Sequence, residues 1–114
     1  MKKKEACTRR ALSIRQPFAE LILRGEKKVE YRSRITHVRG KVLLYAAKPQ
    51  TDDPLLRAWV KAARLPHGVI LGSMEIVGCK EYGPDDFGWL LANPTRLKRP
   101  VPPRGKPQPS FFFT

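Results

Sequence analysis

Residues Ala11–Arg32 read ALSIRQPFAELILRGEKKVEYR and predict a strand, a helix and a second strand in quick succession. The apolar run Ala11–Ile14 is typical of a short strand. Pro17 favours the first position of a helix, because its missing N–H is not needed there. Gly25 suits the left-handed residue that ends a helix. Residues Lys27–Arg32 then alternate between two faces, as a strand requires.

Four positions of this stretch form the pattern GxKxxExR: Gly25, Lys27, Glu30 and Arg32. The pattern resembles the signature of the ASCH domain family, which belongs to the PUA-like superfamily of small β-barrels. Other segments resemble parts of the family in the same order: residues 12–17 before the signature, residues 45–48 after it, and residues 87–89 and 100–105 near the end. The resemblance covers nearly the whole chain from Ala11, and it implies one of three activities, namely RNA binding, RNA cleavage or nucleoside amide hydrolysis.

The remaining sequence predicts more strands and one more helix. Residues 41–47 include a near-continuous apolar run, which indicates a strand buried on both faces. Residues 52–64 begin with an aspartate cap and an early proline, which are helix-start signals. Residues 69–82 are too many for a straight strand, so we expect bends at Gly72 and Gly78.

These elements predict an α+β, mainly β, fold with about five or six short strands and two helices. The resemblance implies a PUA-like, mixed and twisted β-barrel with the helices packed over its openings. A chain of 114 residues is long enough for one modest core, so we expect residues 11–114 to form a single domain. Residues 1–10 carry five basic side chains and one acidic side chain, and we expect them to form a flexible basic tail.

The composition has a large excess of positive charge. Lysine and arginine number 23 against 10 acidic residues, which gives a net charge of +13 and a pI near 10.4. Such a balance favours a polyanionic partner, of which nucleic acid is the commonest. The alternative is a surface that is basic only because the proteins of its organism are basic in general.

Several classes of protein are disfavoured by the sequence. Cys7 and Cys79 do not make a disulfide framework, and with two histidines the chain lacks the ligand spacing of a zinc site. The basic start is not followed by the apolar stretch of an export signal. The sequence contains no run of about 18 apolar residues, which is the length needed to span a membrane. We therefore expect a cytoplasmic monomer that uses no metal or cofactor.

The signature residues are the first candidates for a binding site, because the resemblance implies that they line a ligand cleft. Lys27 offers a compact cation, and Arg32 offers a planar fork that suits phosphate. In a regular strand Lys27 and Glu30 would point to opposite faces. They converge only if Lys27 still belongs to the turn after Gly25, or if a bulge intervenes. From the spacing alone, a surface ion pair of little energetic weight is the better explanation of Glu30 and Arg32; the resemblance reverses that preference.

A second group of candidates lies at the ends of the predicted strands. Arg15 and Gln16 sit at the N-terminus of the first helix, where backbone N–H groups favour an anion. Gln16 is suited to reading a base edge as donor and acceptor, or simply to capping the helix. Ser13 and Tyr45 offer hydroxyl groups to a ligand or close their own strand ends, and Lys48 borders the same cleft.

Basic and aromatic residues elsewhere suggest a wider track for phosphates. The basic residues are Lys41, Lys48, Arg57, Lys61, Arg64 and a C-terminal cluster of five. The candidate stacking platforms are Tyr31, Tyr45, Trp89 and the terminal phenylalanines. We predict instead that Trp59 and Phe87 belong to the core, and that the Phe111–Phe113 triplet docks into the barrel.

An enzymatic role depends on the resemblance. In family members that hydrolyse acetylcytidine, a lysine acts with a threonine nucleophile three residues later and with a glutamate from a distant strand. Lys27 matches the lysine and Glu75 is a candidate for the glutamate, but Glu30 occupies the nucleophile position, where a carboxylate cannot replace the hydroxyl. Metal-independent RNA cleavage stays open, with Glu30 as base and Lys27 stabilising the developing charge. On its own, a glutamate between apolar strand neighbours such as Glu75 more often pairs with a nearby arginine than acts in catalysis.

The sequence therefore predicts a domain that binds nucleic acid, above all RNA, in a cleft. Its predicted binding residues are Ser13, Arg15, Gln16, Lys27, Glu30, Arg32, Tyr45 and Lys48. One alternative is a ribonuclease or nucleoside amidohydrolase that uses Lys27, Glu30 and Glu75. A further alternative is a protein-interaction module of a transcription or translation assembly, whose basic surface would meet an acidic protein.

Overall fold

The computed structural model describes residues 9–114 as one six-stranded sheet with two helices. The elements in chain order are β1 (Arg10–Arg15), α1 (Phe18–Leu23), β2 (Val29–Arg32), β3 (Gly40–Ala47), α2 (Pro54–Ala62), β4 (Val69–Gly83), β5 (Asp86–Val101) and β6 (Phe111–Phe113). The predicted α+β, mainly β, class is confirmed. The predicted tail of residues 1–10 lies outside the described residues except for its last two, and the second of these already begins β1.

The sheet is mixed, but it is not a closed barrel. Its strand order is β2-β5-β4-β3-β1-β6, in which β1 and β3 are parallel and all other neighbours are antiparallel. The expectation of a closed barrel is therefore wrong. Closure would require the two edge strands, β2 and β6, to pair with each other. Among the described residues β6 pairs with β1 and β2 pairs with β5, and no ladder joins the two edges.

Side chains close the seam between β2 and β1 instead. Nη2 of Arg32 in β2 donates to the backbone oxygen of Ser13 in β1 at 2.9 Å. Close to this contact, Trp89 of β5 stacks on Phe111 of β6 with ring centroids 5.4 Å apart. The curled sheet thus encloses a core although its two edge strands are not hydrogen-bonded to each other.

The two long strands bend where the sequence predicts. The register between β4 and β5 shifts between Ile70 and Gly72 and again between Ile76 and Gly78. A β-bulge adds a residue to one strand and increases the local twist. The irregularities predicted at the two glycines are therefore present, and two further shifts, between Ser73 and Glu75 and between Glu81 and Gly83, were not predicted.

The aromatic residues are distributed differently from the prediction. Trp89 is only 2% exposed and its indole N–H donates to the backbone oxygen of Arg34 at 2.9 Å, so it is a core residue and not a stacking platform. Phe112 is buried as expected, whereas Phe113 is exposed. The core around Trp89 consists mainly of Leu12, Ile14, Ala19, Ile22, Val42, Leu44, Met74 and Ile76.

Helix α2 lies at the periphery of the fold. The Asp53 carboxylate accepts a hydrogen bond from the backbone N–H of Leu55 at 2.9 Å, so an aspartate caps this helix, one residue later than predicted. However, no residue of this helix is buried, and Leu55 is 80% exposed. Trp59 is half-buried, with the guanidinium of Arg24 5.4 Å from its ring centroid. The prediction that Trp59 belongs to the core is therefore wrong, because α2 lies beside the sheet and not over it.

Helix α1 is anchored to the sheet through Glu20. The guanidinium of Arg96 in β5 donates to both carboxylate oxygens at 3.0 Å, and Nε of Arg24 donates to Oε2 at 2.8 Å. Burial raises the pKa of Glu20, but the hydrogen bonds and charges of Arg96 and Arg24 lower it by more, so the pKa falls below its ordinary value of 4.5. The ionised carboxylate therefore stabilises the folded state.

We expect Glu20→Gln to be less stable than the parent at pH 7 by about 1 kcal/mol, because both arginines are nearly half exposed and solvent screens the pairs. The folded pKa lies below the unfolded pKa. The stabilisation is therefore complete above the unfolded value near 4.5, and it is lost as pH falls through the folded value. Urea denaturation of both proteins between pH 7 and pH 3 measures the difference. A difference in the free energy of unfolding that stays constant between pH 7 and pH 3 would contradict the lowered pKa of Glu20.

Candidate functional site

A cleft of about 710 Å³ opens at the seam between β1 and β2. All eight residues that the sequence predicts to bind nucleic acid line this cleft: Ser13, Arg15, Gln16, Lys27, Glu30, Arg32, Tyr45 and Lys48. Its other walls come from the first residue of α1, from residues 50–51 after β3, and from residues 107–109 before β6. Residues that are far apart in the sequence therefore share one concave surface.

Parallel pairing explains how the strand-end residues meet. Ser13 lies opposite Tyr45, and Arg15 lies opposite Ala47, so β1 and β3 end at the same edge of the sheet. Lys48 follows directly. The loops after both strands therefore open onto the same side, and the side chains at these ends surround the cleft.

The signature residues form a compact charged cluster on the opposite wall. Nζ of Lys27 lies 3.5 Å from Oε1 of Glu30, and Nε of Arg32 donates to Oε2 of Glu30 at 2.8 Å. Lys27 precedes β2, and its backbone N–H donates to the oxygen of Leu21, so it belongs to the turn after α1. This confirms the first of the two arrangements in which the side chains of Lys27 and Glu30 were expected to converge.

Most of the polar groups in this cluster already have partners within the fold. Nζ of Lys27 donates to the backbone oxygen of Val29 at 2.7 Å. Arg32 donates to Ser13 and Glu30, and its guanidinium carbon lies 5.2 Å from the ring centroid of Trp89. Arg32 therefore connects β2 to β1 and to the core, in addition to facing the cleft.

Gln16 is held even more firmly. Its side chain is 1% exposed, Nε2 donates to the backbone oxygen of Pro66 at 2.9 Å, and Oε1 accepts from the backbone N–H of Glu20 at 3.0 Å. This geometry favours the helix-capping alternative for Gln16. Helix α1 has only six residues, beginning at Phe18, one residue later than predicted. Its N-terminus therefore offers little to an anion.

The accessible groups of the cleft include two cations and two aromatic rings. Arg15 and Lys48 are both exposed. Tyr31 is 59% exposed, and its ring and that of Phe18 have centroids 5.6 and 5.7 Å from Nζ of Lys27. The sequence did not indicate Phe18 as a site residue, because it fits the apolar stripe of α1. Phe18 directly follows Pro17 and begins a helix of only six residues, and this position could have indicated that its ring lies at the mouth of the cleft.

Comparison with known proteins identifies the fold family. The family model of the ASCH domain matches residues 12–96. The chain belongs to the ASCH domain family. The match contains β1 from Leu12 onward, β2, β3 and the GxKxxExR signature, and therefore most of the cleft. The wall at residues 107–109 lies beyond the region that matches the ASCH model.

Two curated relatives are similar to this ASCH domain. Activating signal cointegrator 1 from Homo sapiens is 30% identical over 122 residues, and the protein of the same name from Mus musculus is 29% identical over 122 residues. Each alignment covers 85% of this chain and 21% of the relative. The chain thus spans about a fifth of the length of these relatives.

Glu75, the third residue of the enzymatic alternative, lies outside the cleft of this ASCH domain. It sits on β4 opposite Lys41 and Ala92, and its Oε2 accepts a hydrogen bond from Nδ2 of Asn93 at 3.2 Å. Its partner is therefore an amide and not the arginine considered from the sequence. The cleft contains Lys27 and Glu30 without Glu75. Within residues 9–114, no helix has the length and apolar character needed to cross a membrane.

Proposed function

We propose that this ASCH domain binds single-stranded RNA in the cleft, with phosphates at Arg15 and Lys48 and a base stacked on Tyr31. The observation that carries the proposal is the presence of two exposed cations beside an exposed aromatic ring in a concave site of about 710 Å³. Ligand sites in proteins usually have volumes of about 300 to 1,000 Å³.

The electrostatics of the cleft favour a polyanion. Four basic residues line it against one acidic residue, and the carboxylate of Glu30 is already shared by Lys27 and Arg32. Arg15 and Lys48 form no ion pair among the described residues, so their charges are available to phosphate. Neutralising phosphates releases counterions, and this release drives binding and makes it sensitive to salt.

The aromatic ring favours a single strand over a duplex. A base can stack on Tyr31 only when it is not stacked inside a helix, and such contacts contribute about 1 to 3 kcal/mol per base. RNA recognition by side chains commonly uses unpaired bases in this way. We therefore expect single-stranded RNA to bind more tightly than duplex RNA or duplex DNA.

The double variant Arg15→Gln, Lys48→Gln tests the proposal. We expect its dissociation constant for a single-stranded RNA 12-mer to rise about tenfold or more at 50 mM salt, because two phosphate contacts are lost. The slope of log affinity against log salt should become shallower by about 1.4, or about 0.7 for each contact. Fluorescence anisotropy between 50 and 200 mM salt measures both quantities.

A control of equal charge change separates the cleft from the general basic surface. Lys80 and Arg99 are exposed and lie outside the cleft. We expect Lys80→Gln, Arg99→Gln to change the affinity less than twofold. Equal weakening by both double variants would mean that net charge alone drives binding, and the proposed cleft would be wrong. Affinity that does not fall with added salt would refute phosphate binding altogether.

A protein-interaction role is the second candidate, because α2 presents exposed Leu55 together with exposed Arg57 and Lys61, and exposed Arg64 follows shortly after the helix. This role predicts that no RNA binds in the titration, and that an acidic protein binds instead. A ribonuclease is detected in the same samples on a denaturing gel. RNA cut by the parent and left intact by Glu30→Gln would indicate catalysis.

A further inference from the structure

We infer that a second cavity beside the cleft binds the base of the neighbouring nucleotide, so that the domain recognises a two-nucleotide step of single-stranded RNA. The inference rests on the proposed function. It assigns a ligand to a part of the surface that the proposed cleft does not include. A ridge of residues 25–28 lies between the two cavities, and the evidence concerns the cavity, the ridge and the polar rim in turn.

The second cavity has a volume of about 320 Å³ and an apolar floor. The floor is formed by the buried side chains of Ile22, Met74 and Leu91. This volume is at the small end of the range for ligand sites, which begins near about 300 Å³. A cavity with an apolar floor and this volume suits one flat ring better than an extended chain.

The ridge between the cavities is rigid. The backbone N–H groups of Glu26 and Lys27 both donate to the oxygen of Leu21, at 3.0 and 3.1 Å. At its other end, the backbone N–H of Leu91 donates to the oxygen of Lys28 at 2.9 Å. The ridge is therefore fixed to α1 on one side and to β5 on the other, and the two cavities keep a constant separation.

The ridge carries two lysines and one exposed glutamate, Glu26, so its own charges sum to a net positive value where a phosphate would cross it. Lys27 lines both cavities, and its ammonium group lies near the rings of Phe18 and Tyr31 in the first cleft. Lys28 is exposed and lines the second cavity. The phosphodiester that joins two nucleotides, one base in each cavity, would pass over these two lysines. Charge complementarity of this kind favours a nucleotide over an uncharged apolar side chain.

The rim of the second cavity also offers a hydrogen-bonding group to a base. Asn93 lines the cavity, and its Nδ2 donates to Glu75 at 3.2 Å. The contact fixes the amide orientation, so that Oδ1 remains as an acceptor. An asparagine amide is well suited to the edge of a base. Glu75 does not line the cleft. In this arrangement it holds the amide of Asn93 in place and is therefore a positioning residue.

The test compares ligands on the unchanged protein. Mononucleotides, dinucleotides and dinucleotides with an abasic ribose at either position compete with a fluorescent single-stranded RNA. We expect dinucleotides to bind at least about fivefold more tightly than mononucleotides, the lower limit for one stacked base. Removal of the base at the position that occupies the second cavity should abolish that gain.

Filling the cavity provides a second test. Ala92→Leu places a larger side chain in the wall of the second cavity, whereas Ala58→Leu makes the same change on the exposed surface of α2. We expect Ala92→Leu to remove the dinucleotide gain and to leave the affinity for mononucleotides unchanged. Ala58→Leu should retain both. Thermal unfolding of each variant shows whether it is folded. If Ala92→Leu does not fold, the abasic dinucleotides on the unchanged protein still test the second site.

The outcomes separate this inference from the function on which it rests. Equal affinities for mononucleotides and dinucleotides would overturn the second site and leave RNA binding in the cleft intact. A dinucleotide gain that survives Ala92→Leu in a folded protein would place the second base elsewhere, and would overturn the inference as well. Failure of long single-stranded RNA to bind would overturn both proposals.

Discussion

Gly72→Ala should lower the free energy of unfolding by about 3 kcal/mol or more, at or beyond the upper end of the usual cost of overpacking. Gly72 lies at a register shift between β4 and β5. A Cβ atom there would lie closer than 3.0 Å to the backbone oxygen of Thr95, on the neighbouring strand. A backbone carbonyl cannot rotate away as a side chain can. The two strands would have to separate at the bend that curls the sheet.

Gly78→Ala is the matched control, since Gly78 lies at another register shift of the same strand. Its nearest neighbour would be Cδ1 of Leu90 at 3.1 Å, which is the end of a flexible side chain. We expect Gly78→Ala to lower the free energy of unfolding by less than about 1 kcal/mol, because the side chain of Leu90 can move. Thermal unfolding of both variants measures the difference, at about 4 °C for each kcal/mol in a domain of this size. Equal melting temperatures would show that the bend tolerates a side chain at Gly72.

Arg32→Met should destabilise the fold by about 2 to 3 kcal/mol, the usual range for hydrogen bonds to charged groups that are not fully exposed. The variant keeps an apolar chain against Trp89 but removes the donors to the Ser13 oxygen and to Glu30. Both acceptors face the seam between β1 and β2. The loss should appear in urea denaturation without any ligand.

Arg32→Lys separates a structural role from a purely ligand-binding role. A lysine retains the charge but cannot reach two acceptors with a planar fork. We therefore expect Arg32→Lys to lose most of the same stability, whereas Arg99→Lys, at an exposed position, should lose none. If Arg32→Lys is as stable as the parent, Arg32 serves the cleft alone and the seam does not depend on it.

The local features of the fold were predictable because they depend on neighbouring residues. Asp53 and its following proline predicted the start of α2, and Gly72 and Gly78 predicted the bends of β4. The spacing of Lys27 and Glu30 also indicated that the two side chains converge only if Lys27 belongs to the turn after Gly25 or if a bulge intervenes, and in the structure Lys27 belongs to that turn. In each case a few adjacent residues limit the allowed backbone geometry.

The features that the sequence did not predict depend on long-range pairing. The parallel pairing of β1 with β3 and the pairing of β6 with β1 set a strand order that leaves β2 and β6 at the edges of an open sheet, and no local sequence pattern predicts either pairing. The same pairings bury Gln16 against Pro66 and Trp89 against Phe111. Residues that seemed free to meet a ligand are therefore occupied by distant parts of the chain.

The seam between β1 and β2 gives the cleft a particular mechanical character. A backbone ladder resists separation through many bonds that act together, whereas the Arg32 bridge to Ser13 is a single flexible side chain. Rotation about the bonds of that side chain would change the width of the cleft and leave all sheet hydrogen bonds intact. A ligand that displaced the Arg32 side chain from Ser13 would therefore open this seam without breaking a backbone hydrogen bond between strands.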